Sequence, residues 1–201
     1  MQEIWNTRLE APSISKLSKL QLLTIALLIS SVVLNVFLAR TTKSLRSALL
    51  LVKAEDSLRV GATLSPIEAK GLDGRPAVIR YGRDELPTIL YVFTPPCSWC
   101  TKNIENIKAL AEGTKGRYRI IGLSLSSNNL QEYVTRSGFT FPVYSDLSPG
   151  TAIAYRMGGT PQTIVISNEG KLVKEWKGAY IGNSKKEIET QFGLGLPGIK
   201  Q

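Results

Sequence analysis

The sequence predicts an α/β domain carried behind a single N-terminal transmembrane helix and entered through a leading β-hairpin. Three observations point there. An uncharged run at 20–39 is long enough to cross a bilayer. From residue 61 onward, short β-like runs alternate with stretches of helical spacing, and no internal repeat or low-complexity tract interrupts them. The strongest of the β-like runs, TILYVF at 88–93, passes through Thr94-Pro95-Pro96 into a Cys-x-x-Cys at the start of a helical stretch.

Residues 1–19 form a polar flank to the span LQLLTIALLISSVVLNVFLA at 20–39, which Lys19 and Arg40 bound. Its 20 residues rise about 30 Å as a helix, the thickness of the hydrocarbon core. A cleaved signal peptide needs small residues at its cleavage site, and the best candidate, Ala39, has Phe37 two positions before it. An uncleaved anchor is therefore expected. Residues 40–59 read as a juxtamembrane helix or linker, with Leu45, Ala48, Leu49 and Val52 at helical spacing. Lying on the membrane, pairing with a partner and spacing the domain all fit that segment.

The domain itself is expected over 60–201. Runs at 67–70 and 77–80 flank Leu72-Asp73-Gly74-Arg75 and predict the leading hairpin, with Asp-Gly as its turn. Every residue at 88–93 is β-branched, aromatic or leucine, as a strand buried on both faces requires. A helix is predicted over 98–112, with Cys100, Ile104, Ile107 and Ala111 on its buried face and Gly113 ending it. A second core strand at 118–125 and a short helix at 130–137 follow, then a brief strand at 142–144 and a helix at 151–155. Runs at 162–166 and 172–176 surround Asn168-Glu169-Gly170 as a hairpin, 185–192 reads as a closing helix, and LGLPGIKQ is expected to fray.

Lys and Arg number 25 against 16 Asp and Glu, a formal charge of +9, spread as +4 over 1–59 and +5 over 60–201. Without a long basic run, this surplus gives no reason to expect a nucleic-acid partner. The chain has no histidine, which removes His general bases, His metal ligands and Ser-His or Cys-His pairs together. Any unusual chemistry falls to the only two cysteines, Cys97 and Cys100.

At a helix start, unpaired N–H groups and the positive dipole end favour a thiolate on Cys97. Cys100, one turn on, can attack a mixed disulfide formed at Cys97 and close a small ring. A zinc site lacks ligands, since two cysteines and no histidine fall short of four. Inert core cysteines and a lone peroxidatic cysteine remain as alternatives.

TILYVFTPPCSWC, the later GGTPQT, the frame GATLSPIEAKGLDGRP and the closing ISNEGKLVKEWKGAYIG together resemble the thioredoxin-like superfamily, most closely its membrane-anchored TlpA/ResA-type branch. The similarity covers about residues 60–182. It implies a thioredoxin-like fold, with Cys97 as the exposed nucleophile, Cys100 as the resolving thiol, and Pro161 as a cis-proline facing both. A cis turn there can leave the Thr160 backbone free to pair with an extended substrate. Pro96 and Trp99 join Thr160 and Pro161 as expected substrate-binding residues, although Trp99 equally fits packing over the helix start.

Departures from the family pattern bear on the proton chemistry. Many thioredoxins carry a buried acid six residues before the first cysteine, where this chain has Tyr91, and the anchored branch often has a glutamate six after it, where this chain has Asn103. Glu105 lies five residues from Cys100, an offset that turns it off the Cys100 face. Ser98-Trp99 replaces the usual Gly-Pro or Glu-Pro.

The resemblance implies a membrane-tethered thiol-disulfide oxidoreductase that acts on protein thiols and disulfides, is reset by a redox partner oxidoreductase, and needs no bound cofactor because two sulfurs hold both electrons. Two other functions fit parts of the sequence. A peroxiredoxin-like peroxidase would use Cys97, with Thr94 three residues before it, although Leu90 occupies that pattern's proline position. A non-catalytic thioredoxin-fold assembly module would fit the missing acids and the amphipathic 41–58 segment. The domain is expected outside the cytoplasm, on the periplasmic side, where disulfides form and persist. Basic residues on the far side of the span, Arg40, Lys43 and Arg46 among them, argue the other way.

Overall fold

The computed structural model describes residues 19–56, 58–82 and 85–199, with backbone alone at 43–56. Two units divide between Ala54 and Glu55. In the first, helix α1 (Lys19–Asp56) runs unbroken for 38 residues. Neither glycine nor proline occurs within it, so nothing in the backbone separates the apolar span from the residues that follow. Lys19–Thr42, 24 residues of mean hydropathy 2.5, is long and apolar enough to cross a membrane. Several of its polar side chains bond back to the helix itself: Asn35 Nδ2 donates to the Ser31 carbonyl, and the Thr41 and Thr42 hydroxyls donate to those of Phe37 and Leu38. The apolar face read from Leu45, Ala48, Leu49 and Val52 lies outside the described side chains.

In the second unit, β1 (Ile67–Gly71) and β2 (Pro76–Ile79) form the leading hairpin, with Gly74 at φ 76° in the turn, a left-handed conformation natural to glycine. Then come β3 (Thr88–Phe93), the short helix α2 (Ser98–Lys102), α3 (Ile104–Gly113), β4 (Arg119–Ser124) and α4 (Leu130–Ser137). The chain closes with β5 (Val143–Ser145), α5 (Pro149–Ala154), β6 (Gln162–Ile166), β7 (Leu172–Lys177) and α6 (Gly182–Phe192). One seven-stranded sheet results, in the order β2-β1-β5-β4-β3-β6-β7. Strands β3, β4 and β5 run parallel, while β6 is antiparallel to β3 and β7 to β6.

All six residues of β3 are buried, because it lies inside the sheet and both of its faces are covered. Ile89, Tyr91 and Phe93 face a cluster with Cys100, Ile107, Leu110, Tyr133, Ile188 and Phe192, which come from α2, α3, α4 and α6. Leu90 and Val92 face the other cluster, with Ile67, Ile121, Tyr155 and Ile164. Burial of each large apolar side chain contributes roughly 1.5–3 kcal/mol, so β3 is the spine of the domain.

Three sequence expectations are corrected. The single helix expected over 98–112 is two, broken at Asn103, whose backbone (φ −90°, ψ 0°) leaves the α-helical path and whose N–H is shared by the carbonyls of Trp99 and Cys100. The break resets the buried stripe to Cys100, Asn103, Asn106, Ile107 and Leu110, leaving Ile104 and Ala111 partly exposed. The closing helix begins at Gly182, three residues before the expected 185. The tail does not fray over its described length: Leu196 is buried, its N–H donates to Glu189 Oε1, and the Gly198 N–H donates to Asn106 Oδ1.

Candidate active site

Strand β3 delivers the chain to the edge of the sheet at Phe93, and the turn that follows is closed by the Cys97 N–H donating to the Thr94 carbonyl at 3.0 Å. Cys97 caps α2: its extended backbone (φ −75°, ψ 113°) points Sγ back at the first turn, where it accepts the Cys100 N–H at 3.1 Å. Both cysteines are free thiols, Cys97 partly exposed and Cys100 fully buried.

Because β6 runs antiparallel to β3, it begins where β3 ends; Gln162 pairs with Val92, and the preceding residues Thr160 and Pro161 are carried to the cysteines. The Cys97 thiol donates to the Thr160 carbonyl at 3.4 Å, and the Thr160 and Thr94 hydroxyls bond each other at 3.0 Å. The Thr160–Pro161 peptide is cis, and Pro161 is buried. Cys97, Cys100 and Thr160 are thus joined by these contacts, with Pro161 next in the chain. Pro96 and Trp99 flank them on the surface; Trp99 is 48% exposed, with Lys102 Nζ lying 5.2 Å from its ring centroid.

The two thiols ionise very differently. Burial opposes ionisation of Cys97, but hydrogen bonds from the Cys100 thiol, from Thr160, and from the backbone N–H groups of Cys100 and Trp99 outweigh it, and the thiol is held below its ordinary range. Burial raises Cys100, and the hydrogen bond its thiol gives to Cys97 raises it further, so it is pushed up to about 12. The site therefore pairs a partly exposed thiol that ionises readily with a buried one, one helical turn away, that ionises far less readily.

Sequence reasoning named Tyr91 and Asn103 only as places where acids are missing. Both side chains are fully buried, and Tyr91 shares one core cluster with Cys100 and Tyr133, for which the sequence carries no signal at all. Glu105, exposed and paired with Lys108, stands off this cluster as its offset predicts.

A partly exposed thiol and a buried one at a strand-to-helix junction, faced by a proline loop from the neighbouring antiparallel strand, define a redox site of the thioredoxin fold. The chain belongs to the AhpC/TSA family, whose model matches residues 60–175. No curated protein sequence matches it. Among solved structures it is similar to one described as a thiol:disulfide interchange protein DsbE from Chlorobium tepidum, at 18% identity over 67% of this chain and 96% of that one, with a TM-score of 0.58. The thioredoxin domain of a thiol-disulfide oxidoreductase from Bacteroides vulgatus matches at 18% identity and TM-score 0.54, over 68% and 99% of the two chains. StoA from Bacillus subtilis matches at 18% identity and TM-score 0.50, over 62% and 96%. At these identities the likeness shows the fold, and it agrees with the thioredoxin-like resemblance read from the motifs.

Proposed function

We propose that the chain is a membrane-tethered thiol-disulfide oxidoreductase whose Cys97 and Cys100 exchange electrons with protein substrates. The observation that carries this reading is the inequality of the two thiols, with Cys97 partly exposed and acidic and Cys100 buried and pushed up to about 12. In the reducing direction, the Cys97 thiolate attacks one sulfur of a substrate disulfide. A Cys97–substrate disulfide forms, and the bonding pair leaves on the other substrate sulfur. Cys100 then gives up its proton and attacks Cys97 Sγ, expelling the second substrate sulfur as a thiolate that takes up a proton. Two electrons have moved to the substrate, and the chain carries a Cys97–Cys100 disulfide. Run backwards, the same steps oxidise a dithiol, and a partner oxidoreductase resets the pair; no bound cofactor is called for.

The exposed Trp99 and Pro96 would form an apolar landing surface beside the nucleophile, and the Thr160 backbone would pair with an extended substrate segment. Residues 20–39 would anchor the chain, 40–59 would link anchor to domain, and 60–201 would work outside the cytoplasm, where disulfides persist.

A peroxidase reading draws on the AhpC/TSA match and on Thr94, whose hydroxyl is bonded to Thr160 at 3.0 Å. Trapping separates the two. In cells, Cys100→Ser should accumulate mixed disulfides with partner proteins through Cys97, and Cys97→Ser almost none. A sulfenic acid building up on Cys97 in Cys100→Ser, with peroxide consumed far faster than small disulfides, would replace exchange with peroxidase chemistry. Failure of both thiols to react in the folded chain would favour a binding module.

A further inference from the structure

The side chain of Glu175, on β7, is only 7% exposed, yet both of its carboxylate oxygens are in use. Oε2 accepts the Leu58 N–H at 2.9 Å and Oε1 accepts from Gln162 Nε2 at 2.6 Å, while Lys177 Nζ, 4.0 Å from Oε1, stands at the outer limit of an ion pair. A carboxylate taken this far out of water gives little net stability over an apolar side chain of similar size, since desolvation offsets its attractions. What an apolar side chain could not do is hold donors from two distant segments, one 117 residues before it and the other 13.

Gln162 is fully buried, and its Oε1 has no hydrogen-bond partner among the described residues. The carboxylate at the other end therefore sets the orientation of the amide. Gln162 opens β6, is paired across the sheet with Val92 and Lys177, and follows Pro161 directly. On the other side of Pro161, the Thr160 carbonyl accepts from the Cys97 thiol at 3.4 Å, and the Thr160 and Thr94 hydroxyls bond each other at 3.0 Å. The Pro161 carbonyl accepts the Gly178 N–H at 2.7 Å. An unbroken path of covalent and hydrogen bonds thus runs from Glu175 to the nucleophile. Ile164, the cross-strand partner of Glu175, belongs to the cluster of Leu90 and Val92, and Cys100 to that of Tyr91 and Phe93. Glu175 therefore acts from the opposite face of the sheet and is no substitute for the acid missing beside Cys100.

We propose that Glu175 is a positioning residue: through the Gln162 amide it fixes the start of β6, and so sets the Thr160–Pro161 backbone against which an extended substrate segment pairs beside Cys97. This rests on the exchange reading above. Glu175 touches neither thiol. It favours binding because a loop already held in place loses little further freedom when a segment docks on it. Its effect falls on substrates that have a segment to pair, and not on the intrinsic reactivity of Cys97.

The test uses the full-length reduced chain in detergent and two disulfides that release the same coloured aromatic thiolate when Cys97 attacks. One is the symmetrical aromatic disulfide; the other joins that aromatic thiol to the single cysteine of a short unstructured peptide. Glu175→Ala and Gln162→Leu should each raise the peptide concentration giving half-maximal rate about tenfold, the scale of one hydrogen bond to a charged group. The maximal rate, and the rate with the small disulfide, should not change. The double variant should lose no more than either single one, because both remove the same link. Glu175→Gln should restore binding: its amide oxygen can accept the Leu58 N–H, and its NH2 can donate to Gln162 Oε1 once that amide turns over. Unchanged half-saturation in Gln162→Leu would mean that Glu175 serves only to hold Leu58, and overturns the inference; so does an additive double variant. Equal loss with both disulfides marks general damage to the fold and also overturns it. A wild-type rate that does not saturate with the peptide removes the pairing Glu175 is said to serve, and overturns the inference while leaving exchange standing. Failure of the wild-type chain to release thiolate from either disulfide overturns the exchange reading itself.

Discussion

Cys97 and Cys100 are three residues apart and chemically identical, and the fold alone makes them unlike. The strand-to-helix junction exposes one to solvent and to two N–H donors, while the first turn of α2 rotates the other into the core. Limiting iodoacetamide should therefore label Cys97 with a half-maximal pH below the ordinary thiol value of about 8.5, and leave Cys100 unlabelled until the protein unfolds. Label appearing first on Cys100 would reverse the assigned roles. The same shifts act on stability with opposite signs. Ionisation of Cys97 is easier in the folded chain, so its contribution is present above the unfolded pKa and lost as pH falls through the folded one. Ionisation of Cys100 is harder, so stability is lost as pH rises from about 8.5 toward its folded value. At this scale the sequence was informative wherever a residue's chemistry is unusual in itself: two cysteines in a chain without histidine point to the site, while Pro161 was picked out only by the resemblance to the thioredoxin-like family. Tyr91 and Tyr133 were opaque, because a tyrosine in a hydrophobic run or on the apolar face of a short helix reads as core whether or not its hydroxyl has a partner.

At the level of elements, legibility followed the strength of periodicity. The strands at 88–93 and 162–166 and the helix at 130–137 have the expected boundaries, since each is a continuous apolar or clearly amphipathic run between turn residues. The break at Asn103 was hidden because the apolar residues on either side can be fitted to one helical repeat; only the polar Asn103 and Asn106 on the buried face disclose the offset. The tail was misread because its anchors are side chains, Glu189 a few residues back on α6 and Asn106 far away in the sequence, and neither leaves a periodic signal in the tail itself. Gly122 in β4 shows how tightly the sheet is packed beside the site. A Cβ there would lie 3.0 Å from Val143 Cγ2, 3.2 Å from Phe141 Cε2 and 3.3 Å from Phe93 Cε1, with rings on two sides that have little room to move. Gly122→Ala should accordingly destabilise the domain by roughly 1–3 kcal/mol, read as a lower denaturant midpoint at unchanged slope. An unchanged midpoint would show that the aromatic layer yields more readily than its stacking suggests.

For the whole molecule, two physical arguments about topology oppose each other. The net charge of +4 over residues 1–59 includes Arg40, Lys43, Arg46, Lys53 and Arg59 after the span, against Arg8, Lys16 and Lys19 before it, a bias that by itself holds the domain on the cytoplasmic side. That rule describes short loops, however, and a domain beginning near residue 60 and extending to 201 is long enough to translocate largely regardless of flanking charge. The chemistry pulls the other way with more force. A reducing cytosol keeps thiols reduced by soluble carriers, whereas a dithiol on a tether gains most where disulfides accumulate and no glutathione pool competes. Protease added to intact spheroplasts should therefore digest the domain and leave a membrane-embedded remnant containing Lys19–Thr42. Digestion only after lysis would put Cys97 in the cytosol, and the substrates caught by Cys100→Ser would then have to be sought among cytosolic proteins.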